Sequence, residues 1–224
     1  MNKVNYRVFP IILLYMFVTE FLLKILEQFL SQTTSSLIFT ALHILICISL
    51  IYLLRSNFKD DLNHLFRSFK AIYIIPIFVV LDLVYQIIIQ NIIPANPSNQ
   101  SGLEKGVHSS GSIGVLILFI LIAITGPIVE EVIFQYFIQH TLLKRFLSRF
   151  NLNRKAIAII SIVITTILFM MVHVNKLRDI QNISFLQYSD LIFFAIIYEY
   201  SDDNLMYPIL MHIILNIIGF ISIL

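Results

Sequence analysis

The sequence is poor in charged residues and nearly free of cysteine. Asp, Glu, Lys and Arg make up 12% of its 224 residues, about half the share of a typical soluble domain. The one cysteine, Cys47, excludes an internal disulfide and a cysteine-based metal site. It lies in an apolar run, so we interpret it as a small buried side chain. Tryptophan is absent, which leaves tyrosine to mark any membrane interface.

Long apolar runs are what the sequence has instead. Hydrophobic residues make up 58% of it, and the mean hydropathy is +0.90. Since a helix needs about 20 apolar residues to cross the hydrocarbon core, we predict an all-α fold, a polytopic membrane helix bundle of about seven transmembrane helices. The predicted spans are 8–30, 36–54, 70–93, 113–139, 156–174, 186–200 and 206–224.

The polar segments between these spans are too short for a second domain. We therefore predict one integral membrane domain, 1–224, with peripheral N-terminal spans in 1–112 and a core of motif-bearing helices in 113–224. The first run lacks the cleavage site of a signal peptide and is predicted to be retained. Eleven Lys and Arg residues lie in 1–7, 55–70 and 144–155, against three on the other side, Lys105, Lys176 and Arg178. This asymmetry predicts a cytoplasmic N-terminus.

Charged side chains at membrane depth cost about 2.5–3.5 kcal/mol each to insert, so each needs a reason. Asp82 and Asp190 are isolated acids, which we interpret as hydrogen-bonding partners at a cap or across helices. His43 has no acidic neighbour in its span and is interpreted as a core histidine. The histidines of the polar segments are predicted to be solvated: His64, His108 and His140.

Two adjacent carboxylates stand out in the apolar stretch GPIVEEVIFQ. Pro127 precedes them, and proline disrupts the helical turn before it and frees backbone carbonyls. Such a break is tolerated in a membrane only where it is buried in protein or lines a wet cavity. Glu131 lies four residues before Gln135, which predicts a hydrogen-bonded pair on one helix face. Glu130 points about 100° away from Glu131, leaving its carboxylate free to face a cavity.

Two further stretches, FMMVH and HIILN, also place polar groups at helical spacing. Phe169 and His173 are four residues apart, so the ring can brace the imidazole. His212 and Asn216 are four apart as well, and together they can donate two hydrogen bonds to one oxygen, as an oxyanion hole requires. Polar contacts between membrane helices are the structural alternative for this pair.

These three stretches, in this order, resemble the motifs of the CPBP family of intramembrane glutamic endopeptidases, which includes type II CAAX prenyl proteases and bacteriocin-processing or immunity proteins. The family pattern is EExxxR, FxxxH and HxxxN or HxxxD. The resemblance implies that Glu130 is the general base for a water molecule that His173 helps to hold. It also implies that His212 and Asn216 form the oxyanion hole.

Glu131 and Phe169 would be supporting residues in that scheme, together with the residue at position 135. The family usually has Arg at that position, whereas this sequence has Gln135. A neutral amide cannot neutralise a buried carboxylate at Glu131, so the departure favours either a neutral Glu131 or a base elsewhere.

A zinc site is the alternative to this scheme, because two histidines and a glutamate can bind zinc. The sequence has no HExxH motif and no two histidines on one helix face near Glu130, which favours a metal-independent site. At about 1.5 Å per residue, the predicted spans put His173 and His212 at different depths. They can meet only if the fifth helix extends into the basic segment 140–155 or the span limits differ.

The function favoured by the resemblance is therefore an intramembrane, metal-independent glutamic endopeptidase. Its partners would be the lipid bilayer and a hydrophobic or membrane-anchored peptide substrate, with no cofactor, no metal and no nucleic acid. A non-catalytic binding, regulatory or bacteriocin-immunity protein on the same scaffold is the alternative, favoured by Gln135. A small transporter is least favoured, since the sequence shows a single helix break rather than paired repeats. The predicted location is the bacterial plasma membrane.

Overall fold

The computed structural model describes residues 5–93, 111–173 and 183–224. The three outer basic residues and His108 lie outside these ranges, so the predicted orientation stays a prediction. Within them the chain forms helices and no strand. The helices are α1 (residues 8–26), α2 (Gln32–Leu53), α3 (Arg55–Arg67), α4 (Lys70–Ile92), α5 (Ser112–Leu147), α6 (Arg154–Val172), a 3₁₀ segment (Ile183–Leu191), α7 (Ile192–Tyr200) and α8 (Met206–Ile221).

Helices occupy all seven predicted span positions, which confirms the all-α membrane bundle. Among the described residues, four helices are long and apolar enough to cross a membrane: Thr34–Leu53, Lys70–Ile92, Ser112–Leu147 and Arg154–Val172. α8 and the apolar part of α1 are shorter, and the sixth predicted span is divided between the 3₁₀ segment and α7. Large apolar side chains remain exposed along these helices, as lipid-facing surfaces require.

α5 carries the predicted disruption as a change of helix type rather than an interruption. Ile120–Thr125 is π-helical, and Gly126 donates its N–H to the carbonyl of Leu121, five residues back. A Cβ at position 126 would lie 2.9 Å from that carbonyl oxygen, so glycine is the residue this turn accepts. A second π-helical stretch, Val132–Lys144, follows the two glutamates. The glutamates therefore sit on a short α-helical step between two widened turns.

α8 reaches the centre of the bundle, where it contacts α4, α5 and α7. Its N-terminus is held by α3, since the Asp61 carboxylate accepts the Leu205 N–H at 3.0 Å and the Asp61 carbonyl accepts from the Asn204 side chain at 2.9 Å. The polar helix α3 thereby caps the start of α8, the helix that carries His212.

The turn between α7 and α8 docks against the side of α5. Asp203, in left-handed conformation at φ 62°, accepts a hydrogen bond from His140 at 3.0 Å and pairs with Lys144. Burial acts to raise the pKa of Asp203, but the His140 hydrogen bond and the nearby Lys144 charge outweigh it and leave that pKa below its ordinary value. The prediction of a solvated His140 is wrong, because its side chain is 12% exposed and bonded to this turn.

This docking removes the depth conflict in the predicted spans. α5 continues to Leu147 and α6 begins at Arg154, so both helices extend into the basic segment. The α7–α8 turn contacts α5 at Lys144, one turn before that helix ends. The same turn shares a pocket with Arg154 and Ala158, in the first turns of α6. Because α8 begins after this turn, it starts deeper than α6, and His212 needs fewer residues than His173 to reach the same level.

Candidate active site

Four side chains from three helices line one cavity of about 410 Å³. They are Glu130 on α5, His173 at the end of α6, and His212 and Asn216 on α8. These are the four residues that the motif resemblance selects, and the helix packing described above brings them together. The cavity is bounded on its other sides by α1, α2 and the π-helical turn of α5.

His212 lies between the two adjacent glutamates. Its Nδ1 is 2.7 Å from Oε1 of Glu131, and its Nε2 is 3.8 Å from Oε2 of Glu130. Glu131 is completely buried, whereas the Glu130 side chain is 25% exposed. The ring of Phe194 stacks on the imidazole at 4.4 Å with an interplanar angle of 19°. One short hydrogen bond and one stacked ring therefore fix the imidazole, with its second nitrogen facing Glu130.

His173 is oriented by Phe169 through two contacts. Its Nδ1 lies 3.0 Å from the carbonyl oxygen of Phe169, and the two rings meet edge to face at 5.2 Å. A carbonyl oxygen only accepts hydrogen bonds, so Nδ1 carries the hydrogen and Nε2 is the acceptor nitrogen of the neutral ring. The Phe169 ring is itself buried against Phe134 at 4.0 Å. The predicted bracing of the imidazole by Phe169 is confirmed.

Asn216 connects α8 to the widened turn of α5. Its Nδ2 donates to the carbonyl oxygen of Ile122 at 2.8 Å. In the π-helical register that carbonyl would receive the N–H of residue 127, five positions later, but Pro127 has no N–H. Asn216 therefore satisfies the carbonyl that the proline leaves open. Its amide nitrogen carries a second hydrogen, which this bond does not use.

Gln135 is completely buried beside Glu131 and lies close enough for its amide to act on that carboxyl group, although neither amide atom meets both the distance and the angle of a well-aligned hydrogen bond. The short bond of Glu131 goes instead to His212 on another helix. In the ranges that the structure covers, no three His, Cys, Asp or Glu side chains are grouped so that they could hold a metal ion.

The first two helices supply a wall of the cavity that the motif analysis did not find. Tyr15 and Thr19 on α1 and Phe39 and His43 on α2 line it. His43 is 7% exposed and contacts the rings of Tyr15 at 5.4 Å and Phe39 at 6.1 Å, so the prediction of a buried core histidine is confirmed. Its place at the cavity depends on how α2 packs against α5, for which the sequence offers no signal.

A second, apolar space of about 480 Å³ adjoins the cavity between α1, α5 and α6. Tyr15, Thr19, Glu130 and His173 line both spaces and so mark their junction. Away from the junction the lining is apolar, with contributions such as Leu13. We call this second space the apolar groove.

The isolated acids lie outside both spaces. The Gln86 amide donates to Asp82 at 2.7 Å and to Asp190 at 3.0 Å, joining α4 to the 3₁₀ segment. The predicted hydrogen bond across helices is thus confirmed for Asp190, whereas Asp82 bonds to Gln86 within its own helix. The same segment places Tyr188 against His173, with ring centres 5.6 Å apart. Cys47 is buried, as predicted.

The fold and this site define a polytopic membrane protein whose helices enclose a cavity lined by ionisable side chains. Residues 112–218 match the family model described as "Type II CAAX prenyl endopeptidase Rce1-like". This part of the chain, just under half of its length, is thus similar to the Rce1-like family of CAAX-type intramembrane proteases, in agreement with the predicted resemblance, and the matched residues contain all three motifs. No curated protein and no solved structure gives a significant match to the chain.

Proposed function

We propose that this protein is a glutamic endopeptidase that cleaves peptide bonds in membrane-associated or hydrophobic peptides without a metal ion. The observation that carries the proposal is the placement of Glu130, His173, His212 and Asn216 around one cavity. Peptide hydrolysis needs a base for water and donors aimed at the developing oxyanion. This set contains one carboxylate, two imidazoles and one amide, which can divide those tasks.

In the proposed reaction Glu130 accepts a proton from a water molecule that also donates to Nε2 of His173. The resulting hydroxide attacks the carbonyl carbon of the substrate. The negative oxygen receives hydrogen bonds from Nε2 of His212 and from the second N–H of Asn216. The C–N bond then breaks, and Glu130 returns its proton to the leaving amine. The base regains its starting state at the end of this step.

The apolar groove supports a substrate with an apolar segment on one side of the cleaved bond. Glu130 and His173 lie at its junction with the polar cavity, so a peptide held at Glu130 can extend from one space into the other. Burial of apolar side chains in such a groove stabilises the complex by about 25 cal/mol per Å². We propose that residues on one side of the bond are apolar and that those on the other side contact the polar cavity.

The test is processing of a library of membrane-anchored peptides with apolar segments, read by mass spectrometry. Glu130→Gln and His173→Ala are each expected to lower product formation by about 10²-fold or more, the usual contribution of acid–base groups. Glu27→Gln is the matched control, because it makes the same change at an exposed position. Unchanged processing in both site variants, with normal expression, would contradict the proposal.

Extraction with a chelator separates the metal-independent mechanism from a zinc enzyme. Processing is expected to survive extraction. Loss of processing that added zinc restores would show that the mechanism requires the metal.

A non-catalytic binding or immunity protein is the second candidate, and Gln135 is the observation that favours it. The family's usual Arg is replaced by a completely buried amide that carries no charge. A protein of this kind would release no product from the library, and its phenotype would be unaffected by Glu130→Gln. The same peptide assay therefore discriminates between the two functions.

A further inference from the structure

Glu131 makes its hydrogen bond to His212 from a completely buried position. Its Oε1 lies 2.7 Å from Nδ1 of His212, and its Oε2 has no hydrogen-bonding partner among the described residues. In the part of the chain that the structure covers, the ion pairs of lysine and arginine side chains do not include Glu131. An unpaired carboxylate in such surroundings is far more costly to bury than a neutral carboxyl group.

The charge of Glu130 adds to this cost. Its carboxylate lies on the other side of the same imidazole, with Oε2 at 3.8 Å from Nε2 of His212. Two carboxylates on either side of one ring repel each other strongly in a low-dielectric site. A neutral Glu131 removes that repulsion and leaves the single negative charge on the partly exposed Glu130.

We propose that the carboxyl group of Glu131 is protonated and donates a hydrogen bond to Nδ1 of His212. This bond fixes the hydrogen of the neutral His212 ring on Nε2. An imidazole whose Nδ1 accepts a hydrogen bond has its own hydrogen on Nε2 when it is neutral. His212 is then a donor toward the cavity. Glu131 acts as a positioning residue, since it reaches the cavity only through the ring.

The two cavity histidines therefore have opposite tautomers. The Phe169 carbonyl holds the hydrogen of His173 on Nδ1, so its Nε2 accepts. Glu131 holds the hydrogen of His212 on Nε2, so that nitrogen donates. Nε2 of His173 can accept a hydrogen bond from a water molecule that gives up a proton. Nε2 of His212 can donate a hydrogen bond to an oxygen that gains negative charge. This catalytic consequence rests on the proposed function, whereas the tautomer itself does not.

Gln135 is part of the same arrangement. An Arg at this position would offer Glu131 a cation, and a carboxylate pairs strongly with a guanidinium in a buried site. With a neutral amide there, Glu131 has no such competitor and keeps its contact with His212. Gln135 in place of the family's Arg thereby favours the neutral carboxyl group of Glu131, and the contact between Glu131 and His212 is kept.

The test is ¹⁵N NMR of the full chain, labelled at histidine, in lipid bilayers without substrate. The His212 signals are assigned by their loss in His212→Gln. We expect a protonated Nε2 and an unprotonated Nδ1 for His212, and the reverse for His173. A hydrogen on Nδ1 of His212, or hydrogens on both of its nitrogens, would overturn the proposal. Since no substrate is present, this result is independent of whether the protein is a protease.

Infrared spectroscopy gives a second readout at Glu131. The protonated carboxyl group is expected to give a C=O band that is lost in Glu131→Gln and unchanged in the exposed control Glu27→Gln. A spectrum in which Glu131→Gln removes only a carboxylate band would also overturn the proposal.

The kinetic consequence separates positioning from a merely structural role. Glu131→Leu leaves the His212 tautomer unfixed and is expected to lower kcat by about 10²-fold, the effect of losing one oxyanion donor, with little change in KM. Glu131→Gln can still donate an N–H to Nδ1 and should retain most of kcat. Equal loss in both variants, with the tautomer unchanged, would assign Glu131 a packing role.

Discussion

The turn between α7 and α8 sets the depth of His212, and Asp203→Asn tests how firmly it is held. Asn tolerates the left-handed backbone at this position, so the substitution removes the charge and leaves the turn conformation possible. The lost interactions are the ion pair with Lys144 and part of the hydrogen bond from His140. Hydrogen bonds to charged groups contribute about 1.5–3 kcal/mol each, and the partial exposure of this site favours the lower end of that range.

A loss of about 1.5–3 kcal/mol corresponds to a fall in Tm of about 3–12 °C for a chain of this length. The single buried Cys47 provides the assay, because a thiol-reactive dye labels it only when the bundle opens. Asp202→Asn is the matched control, since Asp202 has nearly the same backbone conformation, φ 58°, but is exposed. Equal Tm changes in the two variants would refute the reasoning.

The pH dependence of this contribution has a definite sign. Because the pKa of Asp203 is lowered in the folded protein, its stabilisation is present above the ordinary aspartate pKa of 3.8 and is lost as the pH falls through the lowered value. The Tm difference between wild type and Asp203→Asn should therefore be full at neutral pH and shrink below about pH 4. A difference that grows on acidification would contradict this assignment.

Two further predictions concern the groove and the widened turn. Leu13→Trp should lower kcat/KM for apolar peptides by about tenfold or more by filling the groove, whereas Leu14→Trp, on an equally exposed neighbour outside it, should not; equal effects would exclude the groove as the substrate path. Asn216→Leu should lower stability by about 1–3 kcal/mol, because it leaves the Ile122 carbonyl unsatisfied. In a Pro127→Ala background the restored N–H can replace that bond, so the cost should shrink; full additivity in the double-mutant cycle would contradict the capping role.

Much of the fold could be predicted from the lengths of the apolar runs alone, because a helix satisfies the hydrogen bonds of all its backbone groups within one membrane-spanning segment. The ends of the helices were harder to predict from the sequence. α5 continues through polar residues to Leu147, and the polar segment after α2 forms α3, which the hydropathy pattern does not predict. Their ends depend on docking contacts such as that between Asp61 and Leu205, which join residues far apart in the sequence.

The candidate site was predictable where its residues lie on one helix and not where they meet across helices. The pairing of Phe169 with His173 follows from a spacing of four residues. The bond between Glu131 and His212 depends on the rotation and depth of α5 and α8, and no periodicity within either segment contains that information. His43 illustrates the same limit, since an isolated polar residue in an apolar run gives no indication of what it faces.

The two halves of the chain have different physical tasks at this site. The matched residues 112–218 carry the ionisable groups that can move a proton, together with the buried contacts that orient them. The helices before them add mainly aromatic and apolar surface, together with the side chains of Thr19 and His43, and they form the edge of the groove. Chemistry held by buried hydrogen bonds tolerates little change, because each lost bond leaves a buried polar group unpaired. An apolar wall can be reshaped by volume alone, so under the proposed function substrate preference can change through α1 and α2 while Glu130 and His173 stay in place.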